Sequence, residues 1–200
     1  IHPERVEQGL SKGKGVIVLT AHLGNWELGA AFLALSGHPL TVVAMDHPSK
    51  AVTDFFTERR LVHNMRVVSL KEAARETVRA LRGNRVVALL GDRDYTGTGQ
   101  IMNFFGEEAL VPTGALSLGT NLGCEVLPAF AVREGGRYSI HFDLPLQLQK
   151  TEDRETDLKV NLSKWVRVLE TYVKKYPEQW FVFDPIWRRD EGRRSHASLQ

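Results

Sequence analysis

Five short apolar runs, separated by segments with helical spacing, place the strongest constraint on the fold of this chain. They are rich in valine, leucine and isoleucine on both faces, and they cover residues 16–20, 41–45, 66–69, 85–90 and 125–132. Strands that are apolar on both faces are typical of a parallel sheet covered by helices on each side. The alternation therefore predicts an α/β layered domain with a mostly parallel central sheet flanked by helices.

The segments between these runs show the 3.6-residue period of amphipathic helices. The predicted helices cover residues 26–36, 51–63, 71–82 and 155–175. The apolar segments on either side of Gly135-Gly136 predict a hairpin, so we expect the sheet to be mixed. By contrast, residues 91–112 lack either period, and loops of that length in compact domains are often functional.

The composition fits one globular domain, and we expect residues 1–200 to form it. Hydrophobic residues make up 42% of the chain and charged residues 25%, with a formal net charge of +2. This charge is too small to predict a nucleic-acid partner. The arginines near the C-terminus form either a solvated tail or a contact with anionic lipid headgroups; they are Arg188, Arg189, Arg193 and Arg194.

Two further features bear on the compartment and on membrane attachment. Cys124 is the only cysteine, so neither a disulfide nor a thiolate metal site is expected. No apolar run approaches the roughly 18 residues of a membrane span. The sequence begins without methionine, and we expect an N-terminal membrane-anchoring segment to precede it.

Polar residues follow the first predicted strand in a pattern that suggests chemistry. His22 comes two residues after the run 16–20, Gly24 allows a tight turn, and Glu27 falls in the first turn of the next helix. In open α/β sheets, ligands collect at the carboxyl ends of the strands. A carboxylate that curls back to the imidazole would fix its tautomer, leaving the other ring nitrogen to act as a general base. A cap glutamate beside an incidental histidine is the structural alternative.

Several motifs together resemble the bacterial lipid A biosynthesis acyltransferase (late acyltransferase) family. This family belongs to the glycerolipid acyltransferase superfamily and includes phosphatidylinositol mannoside acyltransferases. The similarity runs from about Gly15 to Trp187 and keeps the family's order. The motifs that carry it are "AHLGNWE", "GDRDYTGTG", "FFGEEALVPTG", Leu127-Pro128 and "YPEQWF".

The resemblance implies transfer of a fatty acyl group from a thioester to a hydroxyl of a membrane glycolipid or phospholipid, with a lipid A type acceptor favoured. The donor would be acyl carrier protein or coenzyme A, and no other cofactor or metal is expected. His22 would be the general base and Glu27 its orienting partner. The protein would act at the cytoplasmic face of the bacterial inner membrane. Family members with a lipid A acceptor tend to have Asp-Gln-Asp where this chain has Asp92-Arg93-Asp94, a form that looks closer to mannoside acyltransferases.

Four further residues are predicted to bind substrate, namely Arg60, Asp92, Arg93 and Asp94. Asp92, Arg93 and Asp94 follow the predicted strand 85–90, so they reach the same edge as His22 if the two strands run parallel. Arg93 would then meet a phosphate, with the flanking acids orienting it, although an ion-pair cluster explains the same residues. Arg60 matches a family position at which an arginine approaches the acceptor. Residues 104–106 and 111–114 would wall an acyl-chain pocket or simply line the core.

Three alternative functions remain open at this point. A phosphatidylinositol mannoside or lysophospholipid acyltransferase shares the proposed chemistry with a different acceptor. An acyl-thioester hydrolase would use the same base with water as the acceptor. A nucleotide-binding α/β domain would use Asp46 as its ribose acid, although the glycine fingerprint of that fold does not follow the first strand.

Overall fold

The central sheet is mixed and mostly parallel, as the apolar runs predicted. The computed structural model describes residues 1–45 and 47–187, so Asp46 and the four C-terminal arginines discussed above lie outside the described residues. The strands are β1 (Val16–Thr20), β2 (Leu40–Ala44), β3 (Arg66–Ser69), β4 (Val86–Leu90), β5 (Gln100–Phe104), β6 (Glu107–Val111), β7 (Glu125–Glu134) and β8 (Arg137–Phe142). Six of them form the sheet in the order β3-β2-β4-β1-β7-β8. All neighbours are parallel except β7 and β8, which form the predicted antiparallel hairpin.

Helices cover both faces of this sheet. They are α1 (Glu4–Leu10), α2 (Trp26–Leu35), α3 (Lys50–Val62), α4 (Ala73–Arg82), α5 (Gly114–Leu122) and α6 (Arg154–Lys175), followed by a 3-10 turn (Pro177–Gln179). Alternate residues of β1 enter two separate cores. Val16 and Val18 pack in the core that includes Leu33 of α2, whereas Ile17 and Leu19 pack in the core that includes Trp165 of α6. This two-sided burial explains why the strand is apolar from Val16 to Leu19.

The segment 91–112 contains a hairpin that its sequence did not reveal. Strands β5 and β6 pair in antiparallel fashion outside the central sheet. Their apolar residues lie on both sides of the ribbon, since Ile101 is exposed while Phe104 is buried. The turn places Phe105 and Gly106 at φ 54° and 88°. Because Phe is an unusual residue at positive φ, this turn lacks the Asn-Gly or Asp-Gly signature of a hairpin.

Candidate functional site

The loop from Ala21 to Asn25 presents His22 at the carboxyl edge of the sheet. Asn25 caps α2, because its Oδ1 accepts a hydrogen bond from the Leu28 amide at 2.9 Å. The loop backbone is also fixed from two other directions. The Asn25 amide donates to the Ala131 carbonyl of β7, and the Phe181 amide donates to the His22 carbonyl, each at 2.7 Å. The position of the histidine therefore depends on the C-terminal segment as well as on its own strand.

Gly24 lets this loop pass close to β7. Its φ is +67°, and a Cβ at this position would lie 2.0 Å from the Ala131 carbonyl oxygen. Gly37 has a φ of +85° but no atom within 4 Å of the corresponding Cβ position. The two glycines thus share a left-handed backbone and differ in the space available to a side chain.

This difference predicts unequal effects of alanine at the two positions. Gly37→Ala is expected to lower the free energy of unfolding by about 1–2 kcal/mol, the cost of a left-handed backbone. For Gly24→Ala we expect a loss of about 3 kcal/mol or more, because the overlap with Ala131 adds about 1–3 kcal/mol. Urea unfolding of both variants measures the difference, and equal losses would show that the close approach to β7 does not constrain the loop.

The imidazole of His22 is held by Asp92, not by Glu27. His22 Nδ1 donates to Asp92 Oδ1 at 2.9 Å, and the His22 amide donates to Asp92 Oδ2, also at 2.9 Å. Trp180 Nε1 donates to the same Oδ2 at 3.1 Å. The Asp92 side chain is fully buried, while that of His22 is 15% exposed. An ionised carboxylate only accepts hydrogen bonds, so Nδ1 carries a proton, and in the neutral imidazole the lone pair is therefore on Nε2.

The register of two parallel strands brings His22 and Asp92 together. Thr20 of β1 pairs with Leu90 of β4, and each site residue lies two positions beyond the end of its strand. The prediction that Asp92 reaches the same edge as His22 is therefore confirmed. Its direct hydrogen bond to the imidazole was not predicted, because it depends on which strands are neighbours in the sheet.

Glu27 faces α3 instead of the histidine. Its two carboxylate oxygens accept from the Arg60 guanidinium, with Nε at 3.1 Å from Oε2 and Nη2 bonded to Oε1. No hydrogen bond joins Glu27 to His22 among the residues that the structure describes, so the expected contact between them is wrong. The physical reason is that a guanidinium matches both oxygens of a carboxylate at once. Any catalytic role of Glu27, and any contact of Arg60 with substrate, stays a prediction.

Arg93 and Asp94 have partners other than those expected. Arg93 Nη2 donates to Asp184 Oδ2 at 2.7 Å, and its guanidinium lies over the Tyr95 ring. Within residues 1–45 and 47–187, neither flanking acid bonds to Arg93, so the expectation that they orient it is wrong. Asp94 instead accepts from Thr96 and from the Gly99 amide. Burial opposes ionisation of Asp94, but these hydrogen bonds outweigh it and lower its pKa. Binding of substrate by either residue remains a prediction.

Aromatic rings surround the exposed side of the imidazole. The edge of Trp26 lies against His22 with ring centroids 5.1 Å apart, and Tyr95 lies at 6.4 Å. Phe181 contacts Trp26 in turn. A narrow apolar cavity of about 30 Å³ opens beside this group, between α2 and the sheet, and its lining includes Thr20, Trp26, Gly29, Ala30 and Ala131.

Part of the hairpin region packs in the core, and none of it lines this cavity. Phe104 and Val111 are buried in the core that contains Trp165. Trp187 donates to the Phe104 carbonyl at 2.9 Å. Among residues 104–106 and 111–114, core lining therefore holds for Phe104 and Val111, whereas Phe105 is exposed.

Comparison with known proteins agrees with the motifs. The family model for bacterial lipid A biosynthesis acyltransferases matches residues 1–189. The chain belongs to this family. Two of the motifs that link it to the family meet at the site, since "AHLGNWE" supplies His22 and "GDRDYTGTG" supplies Asp92. A third, "YPEQWF", supplies Trp180 against Asp92.

Curated relatives in the family have similar sequences over almost the whole chain. The phosphatidylinositol mannoside acyltransferase of Mycobacterium tuberculosis is 25% identical over 201 residues, which cover 98% of this chain and 62% of that protein. The enzyme of the same name from Mycolicibacterium smegmatis is 24% identical over 194 residues, covering 95% and 62%. The chain thus spans less than two thirds of the length of these relatives. Within its described part, no helix is both long and apolar enough to traverse a bilayer.

Two residues at this site were not predicted from the sequence. Trp180 is one of them, and its indole donates to Asp92. Asp184, the partner of Arg93, was not singled out at all. Both lie about 90 positions from their partners, so no local sequence pattern indicates these contacts.

Proposed function

We propose that this protein is an O-acyltransferase that moves a fatty acyl group from an acyl thioester to a hydroxyl of a membrane glycolipid or phospholipid. One observation carries the proposal: Nδ1 of His22 is held by a buried carboxylate, whereas Nε2 has no hydrogen-bond partner among the described residues. This is the arrangement of a general base that is ready to accept a proton. Family membership supports the acyl chemistry.

The reaction proceeds in one direct transfer. His22 Nε2 takes the proton of the acceptor hydroxyl as its oxygen attacks the thioester carbonyl. The tetrahedral intermediate then collapses, the carbon–sulfur bond breaks, and the departing thiolate receives that proton from the imidazolium. Asp92 stabilises the imidazolium without itself taking the proton. The proposed steps need no metal or redox cofactor, because acid–base chemistry alone balances them.

For the acceptor, we propose a phosphatidylinositol mannoside or a related glycolipid. The curated relatives carry that acceptor in their names, and lipid A remains the alternative that the family name suggests. Acyl carrier protein and coenzyme A thioesters are both suitable donors for this chemistry. An active site that serves a lipid acceptor would work at a membrane surface, and we place it at the cytoplasmic face.

Product analysis tests this function directly. The chain is incubated with labelled acyl-CoA or acyl carrier protein thioester, with phosphatidylinositol mannoside, with a lipid A precursor, or with neither lipid. Mass spectrometry then follows acylated lipid and free fatty acid. We expect acylated lipid with the mannoside and little release of fatty acid when no lipid is present. Equal release of fatty acid with and without acceptor would identify a hydrolase and contradict the proposal.

A further inference from the structure

Helix α3 is amphipathic, but it buries none of its residues. Over its 13 residues, no side chain is buried. Its exposed apolar residues include Phe55, which is 52% exposed, and Val62, which is 69% exposed. Phe56 and Leu61 are also exposed. We call these four residues, together with Arg59 between them, the α3 patch.

An ordinary surface helix would turn such residues inward. Phenylalanine and leucine side chains gain free energy when they are buried, so a helix that leaves several of them in water lacks an apolar partner. Phe55 and Val62 are seven positions apart, which places them on the same side of the helix. Arg59, four positions after Phe55, lies on that side as well. The α3 patch therefore has an exposed apolar side that contains one basic residue.

The charges of α3 suit a lipid surface. Lys50 pairs with Asp54, and Arg60 pairs with Glu27 of α2. Arg59 forms no ion pair within the described part of the chain, and its guanidinium lies 5.2 Å from the centre of the Phe55 ring. An arginine stacked on an aromatic ring beside aliphatic side chains can keep its charge at the headgroups while its stem lies along the apolar surface. Glu58 is the acidic neighbour that opposes this attraction.

The patch is also connected to the catalytic edge. Arg60 joins α3 to Glu27 in the first turn of α2, and the preceding residue, Trp26, touches the imidazole. Further exposed apolar residues follow the carboxyl ends of the neighbouring strands, namely Met45, Leu70 and Tyr95. Exposed apolar side chains therefore lie at the edge that holds His22 as well as on α3.

We propose that the α3 patch docks the protein on the surface of a phospholipid bilayer that contains anionic lipids. Phe55 and Val62 insert among the headgroups, and Arg59 contacts lipid phosphates. The inference rests on the proposed function, since an acceptor with lipid tails would then reach His22 without leaving its membrane. A protein partner such as an acyl carrier protein would call for a mainly basic surface, whereas this one is mainly apolar.

Vesicle sedimentation without any substrate tests the docking. The vesicles contain phosphatidylcholine alone or with about 30% phosphatidylglycerol, because anionic headgroups attract basic residues near the surface. Phe55→Ser/Val62→Ser is expected to lower binding about tenfold or more, because the inserted apolar area is lost. The matched control, Tyr138→Ser/Leu144→Ser, also removes one exposed aromatic and one exposed aliphatic side chain, and it should bind like the wild type.

A pair of charge variants tests the role of the headgroups. Arg59→Gln should weaken binding to the anionic vesicles about fivefold and leave binding to neutral vesicles unchanged. Glu58→Gln, one residue away, should strengthen binding to the anionic vesicles. If the two changes act in the same direction, or if both act equally on neutral vesicles, Arg59 does not contact anionic lipid.

Other outcomes would overturn the proposal. They are no binding by the wild type, equal loss by the Tyr138/Leu144 control, or a wild-type dimer in solution that Phe55→Ser/Val62→Ser dissociates. If Phe55→Ser/Val62→Ser loses turnover with acyl carrier protein thioester in detergent but still binds vesicles, the patch binds acyl carrier protein instead. Failure of the proposed function would give a different result. The wild type would then not transfer acyl groups to a detergent-dispersed acceptor, but it would still bind vesicles.

Discussion

His22→Ala is expected to lower kcat for acyl transfer about 10²–10⁴-fold, the usual contribution of a positioned general base. The acceptor hydroxyl would then have to lose its proton to water as it attacks the thioester. The measurement is steady-state transfer from acyl-CoA to the accepted lipid. We expect added imidazole to restore part of the lost rate in this variant, since it can enter the space that the side chain leaves.

The fold should survive this substitution. The His22 amide and the Trp180 indole still donate to Asp92 Oδ2, and neither depends on the imidazole. Only Oδ1 loses its partner, at a cost of about 1–3 kcal/mol. His22→Gln keeps an N–H donor but supplies no base, so it separates stability from catalysis. A folded His22→Ala protein with near wild-type transfer would show that another group removes the proton.

The fold could be predicted from sequence because its signals are local. The first four residues of β1, Val16 to Leu19, are all apolar, since alternate side chains enter the two cores on opposite faces of the sheet. The predicted helix 155–175 corresponds to α6 at Arg154–Lys175 within one residue. The hairpin of β5 and β6 was missed because its apolar residues do not alternate cleanly and its turn contains Phe105. The elements identified from sequence are thus those whose apolar residues form an unbroken run or recur at helical spacing.

The site could be predicted only in part. The edge that holds His22 followed from its place after a strand, and Asp92 was expected there for the same reason. The spacing of five residues favoured Glu27 as the partner, but helical geometry turns that side chain toward Arg60. The contact that holds the imidazole joins residues 70 positions apart, and it exists because β4 lies beside β1. Sequence spacing contains no information about that neighbour.

Asp92→Asn is expected to lower kcat far more than Glu27→Gln. In the asparagine variant, Oδ1 can replace the carboxylate oxygen that accepts from the His22 amide and Trp180. Its amide NH₂ then faces His22 Nδ1 and donates to it. Nδ1 becomes the acceptor, Nε2 becomes protonated, and the base is lost although Nδ1, the His22 amide and the Trp180 indole all keep a partner. We therefore expect kcat to fall about 10²–10⁴-fold, with little change in stability.

Glu27→Gln leaves the imidazole and its carboxylate untouched, and its amide oxygen can still accept from Arg60. We expect a smaller fall in kcat, about tenfold or less, because only one charge-assisted contact between α2 and α3 is weakened. The two variants are compared under saturating donor and acceptor, with urea unfolding as the control for stability. A larger loss with Glu27→Gln than with Asp92→Asn would mean that the glutamate reaches the imidazole during turnover and that the Asp92 contact serves the fold alone. A larger loss with Asp92→Asn would show that Asp92, the acid that follows β4, sets the tautomer of His22.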